Sequence, residues 1–256
     1  MSQSANSKRV GIIAGTGFYN IPELLDRVDH DVRNDYGSAR ITTGTWNGVS
    51  VVFLTRHGSG HTIPPHMINF RANIKALKDA GVSKTVAVSV VGGVDKTLKA
   101  GDLTLIDDFV DFTSGRAHTF FDGSTPEGVQ HVDVTYPYDR EIQSALRDSA
   151  KSLSIPLREK GIYAGFNGPR FETPAEVRFA ALAGATVVGM TGCPEVSLAR
   201  EANLPYATIA LIVNPAAGLS EKEITIADIN AALDLGREKV LKIRSEEHTS
   251  ELQSPY

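Results

Sequence analysis

Apolar, β-branched residues gather in short runs along the chain: Val10–Ala14, Val49–Thr55, Thr85–Val91, Leu103–Phe109, Thr186–Met190 and Tyr206–Val213. Each is 5 to 8 residues long and bounded by Gly, Asp or Pro, the pattern of buried strands. Between several of them the apolar spacing becomes helical. Ile68–Ala80 is one amphipathic stretch, stopped by Gly81, and Arg140–Ser152 is another, with Ile142, Leu146 and Leu153 on one face. Pro174–Gly184 opens with Thr173 as N-cap and proline at the first helical position. Pro194–Ala202 and Ile226–Ile243 complete the helices. Strands alternating with helices predict an α/β fold with a largely parallel or mixed sheet and helices on its faces. No linker, repeat or low-complexity tract interrupts residues 1–243, so they are expected to form one domain. Residues 244–256 have no helical apolar stripe, and Arg244–Ser254 resembles the translation of a sequencing adapter. They are expected to be a non-native tail outside the fold; a disordered polar tail is the other reading.

Composition narrows the function classes. The chain has 256 residues, 41% hydrophobic and 22% charged, as soluble globular proteins do. The net charge of −4 supplies no basic surplus for nucleic acid. The single cysteine, Cys193, rules out an internal disulfide and points to a reducing, cytoplasmic setting. The stretch Met1–Arg9 is polar, the apolar run after it is too short for a signal core, and no run approaches the roughly 18 apolar residues of a membrane span.

The candidate chemistry sits where strands end, the place where α/β proteins bind ligands. Gly15-Thr16-Gly17 closes the first run with backbone N–H groups and a hydroxyl suited to an anion, although a tight turn needing glycine dihedrals fits equally. The dinucleotide fingerprint fails, because its third glycine would fall at Asn20. Arg56-His57-Gly58 follows the second run, and an arginine fork suits phosphate. His57, His61 and His66 do not read as a metal site: Pro64-Pro65 breaks any helix and no carboxylate or cysteine lies among them. Ser89-Val90-Val91-Gly92-Gly93 lets a flat ring or a phosphate approach the backbone. Gly189-Met190-Thr191 offers a thioether for a sugar face, or for core filling, and a hydroxyl for an anion. Cys193 reads as a small buried residue rather than a nucleophile. Asn214 ends the most apolar run of the chain, and its expected partner is Glu172 in Asn167–Thr173.

Taken together these motifs resemble the trimeric purine nucleoside phosphorylase and methylthioadenosine phosphorylase family. The resemblance is carried by Gly15-Thr16-Gly17, Arg56-His57-Gly58 with His61-Thr62, Asn69–Asn73, Gly168–Thr173, and Gly189-Met190-Thr191 with Pro194-Glu195-Val196. It covers roughly residues 10 to 243. Val213–Gly218 and Thr113–Thr119 look most like the bacterial methylthioinosine phosphorylases.

The resemblance implies a three-layer α/β/α phosphorylase fold, a homotrimer, and attack of inorganic phosphate on C1′ of a purine nucleoside, with no cofactor and no metal. By correspondence, Thr16, Arg56, His57, Ser89, Thr191 and the Val90 backbone hold phosphate. Val91, Gly92, Phe171, Glu172, Met190, Asn214 and Ala216 hold the nucleoside, with His57, Glu172 and Asn214 catalytic. His61, Leu219 and a neighbour's His131 are candidates for the 5′ end, where His131 also reads as an ordinary loop histidine. A 6-oxopurine presents N1–H and O6, which suit the Glu172 carboxylate and the Asn214 amide. The adenine-cleaving branch resembles a serine and an aspartate at these positions. A hypoxanthine-type base is therefore expected over adenine, and the resemblance adds the 5′-methylthio group, so that methylthioinosine is the expected substrate. An inosine or guanosine phosphorylase, a methylthioadenosine phosphorylase and a non-catalytic nucleoside-binding module are the other readings.

Overall fold

A computed structural model describes residues 9–18, 23–58, 60–123, 126, 128–221 and 223–252, with side chains through 244. Residues 1–8, Asn20 and 253–256 lie outside the described residues.

Five of the six apolar runs each become one strand: β1 (Arg9–Ala14), β4 (Val49–Thr55), β5 (Val82–Gly93), β9 (Val187–Gly189) and β10 (Tyr206–Pro215). The sixth splits into β6 (Leu103–Ile106) and β7 (Asp108–Asp111). The split is physical, because β6 pairs antiparallel with β10 whereas β7 pairs parallel with β8 (Ile162–Gly165). Two further strands, β2 (Leu25–Asn34) and β3 (Gly37–Trp46), form a hairpin that the apolar pattern does not announce. Along β2 almost every residue is exposed, and Asp26, Arg27, Asp29, Asp31 and Arg33 line this sheet edge. Charges there keep an open edge from pairing with other chains.

The ten strands form one mixed sheet, ordered β2-β3-β4-β1-β5-β9-β8-β7, with β10 joining at β5 and β6 pairing on β10. β5 is its hub: it runs parallel to β1 and β10 and meets β9 antiparallel at Gly92 and Gly93. Successive residues of the central strands point to opposite faces. Ile13, Ala87, Ala210 and Ile212 join a core with α1 (Phe70–Asp79) and α4 (Gly192–Glu201). Ile12, Val86, Val88, Ile209 and Leu211 join one with α2 (Arg140–Ser152) and α5 (Ile226–Leu252). The result is the expected three-layer α/β/α architecture. A third, smaller cluster seats α3 (Pro174–Leu182) through Val177 and Ala180.

α5 continues past Ile243 to Leu252, so the 243/244 junction is not a structural break. Arg244 is fully buried, with its guanidinium 5.7 Å from the Trp46 ring centroid. A cation over an indole face supplies the packing that an apolar stripe would otherwise supply, and no apolar periodicity signals it. Among the described residues, no helix is long and apolar enough to cross a membrane.

Candidate active site

The carboxyl ends of β1, β4, β5, β9 and β10 converge on a cavity of about 380 Å³. Thr16, His57, His61 and Thr191 line one part of it, and Val90, Val91, Gly92 and Met190 another. Phe171, Glu172, Asn214 and Ala216 complete the expected set within the wall. Four expected residues lie elsewhere. Arg56 and Ser89 are buried behind the wall, and His131 is exposed outside it. Leu219 packs beside Ala216 in the third apolar cluster.

Arg56 corrects the picture of a free fork waiting for an anion. Its Nε and Nη2 donate to the two carboxylate oxygens of Glu195 at 2.9 and 2.7 Å, and Nη1 donates to the Val88 carbonyl at 2.8 Å. Tyr206 Oη donates to the same carboxylate at 2.6 Å. Both charged side chains are essentially inaccessible. Burial opposes the Arg56 charge, but the Glu195 carboxylate more than offsets this and raises its pKa. The group sits under the Gly15 turn, where an added Cβ would fall 2.7 Å from the Val88 carbonyl and 3.2 Å from Arg56 Nη1. Nη1 and Nη2 each retain one further N–H beyond these bonds. The buried Ser89 Oγ has no hydrogen-bond partner.

His57 is held as the neutral ring. Its Nδ1 lies 2.9 Å from the Ile63 carbonyl, which can only accept, so Nδ1 carries the proton and Nε2 is an acceptor. Burial, helped by nearby Arg56 and His61, outweighs the pull of that carbonyl and pushes the pKa down from 6.5 to about 4. Between those values the unfolded chain binds a proton that the folded chain refuses, so stability falls as pH drops through this window. Denaturation midpoints at pH 7 and pH 5 should fall more steeply for wild type than for His57→Gln. Parallel slopes would refute this.

Glu172 and Asn214 face the cavity from different elements. Glu172 directly precedes Thr173, the N-cap of α3, whose capping box joins Glu176 N to Thr173 Oγ1 at 3.2 Å and Thr173 N to Glu176 Oε2 at 2.7 Å. Arg170 adds a bidentate pair to Glu176 at 2.8 and 2.8 Å. The loop is thus fixed on both sides of Glu172. Its Oε1 is buried without a hydrogen-bond partner, and burial raises its carboxyl pKa. Asn214 Nδ2 donates to the Pro215 carbonyl at 2.7 Å, which orients the amide and leaves one N–H and the Oδ1 acceptor unclaimed by that bond.

Several contributors escape a reading of local motifs. Glu195 stands in a quoted motif, yet 139 positions separate it from Arg56, and nothing local pairs them. Arg116, within Thr113–Thr119, is buried and donates to the carbonyls of Cys193, Asn167 and Phe166, tying the Glu172 loop to the start of α4. Ile224, Ile226, Ile229 and Asn230 line the cavity from the start of α5 and the segment before it. Their only signal was a helix start, with no motif to mark a binding wall.

The fold and these strand-end residues define an α/β phosphorylase. The family profile described as the phosphorylase superfamily matches residues 9–246, and the chain belongs to that family. It is 43% identical over 239 residues to the 6-oxopurine nucleoside phosphorylase of Pyrococcus furiosus, covering 92% of this chain and 90% of the relative. It is 44% identical over 231 residues to a probable S-methyl-5′-thioinosine phosphorylase of Pseudomonas syringae pv. tomato, covering 90% and 94%. Among solved structures, methylthioadenosine phosphorylase from Schistosoma mansoni in complex with adenine superposes with a TM-score of 0.89 at 31% identity, covering 96% of this chain and 92% of that one.

Proposed function

We propose that this chain catalyses phosphorolysis of 6-oxopurine nucleosides, with S-methyl-5′-thioinosine as the preferred substrate. Phosphate attacks C1′ as the C1′–N9 bond breaks, giving hypoxanthine and 5-methylthioribose 1-phosphate. The observation that carries this reading is the buried, unpartnered Oε1 of Glu172 in the wall that also holds Asn214. A carboxylate in that state needs a donor, which N1–H of a 6-oxopurine supplies and N1 of an adenine does not. The remaining Asn214 N–H suits O6, and Oδ1 suits a protonated N7. Leaving such groups mismatched costs about 1–3 kcal/mol each. Relatives named as 6-oxopurine and methylthioinosine phosphorylases support the same base.

At the other end, Ile224, Ile226 and Ile229 present an apolar wall that suits a methylthio group. Asn230 beside them supports the second reading, inosine with a 5′-hydroxyl. Inorganic phosphate is a co-substrate in this scheme, held by Thr16, Thr191, the Val90 backbone and the free donors of Arg56 and Ser89, with His57 Nε2 accepting from a P–OH. No cofactor or metal is needed.

We also place the protein in the cytoplasm as a homotrimer in which a neighbour's His131 closes the 5′ end. Val129, Val132, Val134 and Tyr136 around that histidine are exposed apolar side chains suited to cover by a second copy. Phosphate-dependent base release from methylthioinosine, inosine, methylthioadenosine and adenosine should rank in that order, by a particle with the mass of three chains. Faster cleavage of methylthioadenosine than of methylthioinosine, or no phosphate-dependent release at all, refutes the assignment.

A further inference from the structure

Tyr163 is a fully buried tyrosine on β8 that lies behind the cavity wall rather than in it. Its hydroxyl accepts from the backbone N–H of Thr191 and from that of Gly192, each at 3.0 Å. These amides open α4, where N–H groups have no intrahelical acceptor. The ring fits because positions 189 and 192 have no side chain. A Cβ at Gly189 would overlap the hydroxyl, and one at Gly192 would fall 2.8 Å from the ring.

Thr191 occupies the N-cap position of α4. A threonine there ordinarily turns its hydroxyl back to accept from amides of the first turn. Here it makes no such bond. Pro194 at the third helical position has no N–H to offer, Cys193 and Pro194 are non-helical, and the phenol takes the two amides at the start of the turn. The Thr191 side chain is left to the cavity that it lines.

We infer that Tyr163 is a positioning residue for phosphate: its hydroxyl holds the backbone amides of Thr191 and Gly192 and so fixes the segment that presents the Thr191 hydroxyl to the anion. This rests on the phosphate subsite proposed above. Removing the phenol oxygen leaves these two buried amides without an acceptor, and the backbone that carries Thr191 is no longer held in place. The cost falls on the anion and not on the base, because Glu172 and Asn214 hang on other elements.

The test is Tyr163→Phe, read by calorimetric binding of inorganic phosphate and by separate KM values for phosphate and nucleoside. We expect phosphate Kd and KM to rise about 10-fold, with nucleoside KM within about twofold of wild type. Thr191→Val should weaken phosphate similarly, and Tyr163→Phe added to it should cause no further loss, since both act through one hydroxyl. Unchanged phosphate affinity, an equal rise in both KM values, or additive losses would overturn the inference. If the Phe variant does not fold, 3-fluorotyrosine at position 163 keeps the ring with a weaker acceptor. A higher phosphate Kd then supports the role, and an unchanged one refutes it. A wild type that binds phosphate but releases base from none of the four nucleosides refutes the phosphorylase assignment alone, and the phosphate Kd of Tyr163→Phe still decides this inference.

Discussion

Glu172→Ala is expected to lower kcat/KM for methylthioinosine and inosine by about 10²-fold and to bring the 6-oxo over 6-amino preference close to unity. The wild-type carboxylate is buried, its Oε1 has no partner in the protein, and burial raises its pKa. The buried oxygen is thus open to a ligand donor. N1–H of a 6-oxopurine supplies that donor, and a bond to a charged acceptor is the stronger kind. Alanine leaves N1–H unpaired, whereas Gln keeps an acceptor and loses only the charge, so Glu172→Gln should fall by about 10-fold. The apo protein should respond in the opposite sense. A carboxyl whose pKa is raised on folding favours the folded state below its unfolded value near 4.5 and costs stability as pH rises through the folded value. Glu172→Gln should therefore melt no lower than wild type at pH 7. Steady-state rates on the four nucleosides and thermal melts check both halves. Retained discrimination in the alanine variant would sink the assignment of Glu172 as the reader of N1.

Glu195→Ala is expected to destabilise the fold by about 3–5 kcal/mol, because it strands the buried Arg56 cation. In a chain of this length that corresponds to a fall of roughly 10 °C in Tm. The pair is bidentate and inaccessible, and Tyr206 adds a 2.6 Å bond, so no solvent screens the loss. Removing both charges with Arg56→Leu/Glu195→Leu should recover at least half of that stability, since an apolar pair of similar size carries no desolvation penalty. It should not recover phosphorolysis. The Arg56 N–H groups beyond those given to Glu195 and Val88 are the phosphate donors in this scheme, and losing preorganised donors of this kind costs about 10²–10³ in rate. Denaturant midpoints and phosphate saturation curves separate the two effects. A double variant with wild-type phosphate turnover would show that the pair only holds the fold.

The strand ends that carry Thr16, His57, Val90 to Gly92, Thr191 and Asn214 were legible because burial on both faces leaves continuous apolar runs. Any polar or glycine residue closing such a run stands out. The hairpin β2–β3 was not legible, since β2 is an exposed, charged edge whose pairing comes from β3 rather than from its own pattern. The short β8 was missed for a related reason: the four residues Ile162–Gly165 are too few to show a period. Its Tyr163 reads from the sequence as ordinary core. Arg244 was assigned to a tail because an arginine packed over Trp46 leaves no apolar signature.

Local sequence thus decided which residues meet at the cavity. The parallel strands β1, β4, β5 and β10 bring their carboxyl ends to one edge of the sheet, and motifs at those ends share it. Asn214 closes such a strand, whereas Glu172 lies beyond the end of β8 and joins it through the family resemblance. Folding alone decided how those residues are held. Arg56 finds Glu195 across 139 positions, Arg116 reaches carbonyls of the Glu172 loop and of the start of α4, and the Tyr163 hydroxyl takes the backbone amides of Thr191 and Gly192. Such pairings follow from distances in three dimensions and from the cost of leaving a buried polar group alone, and neither has a period along the chain.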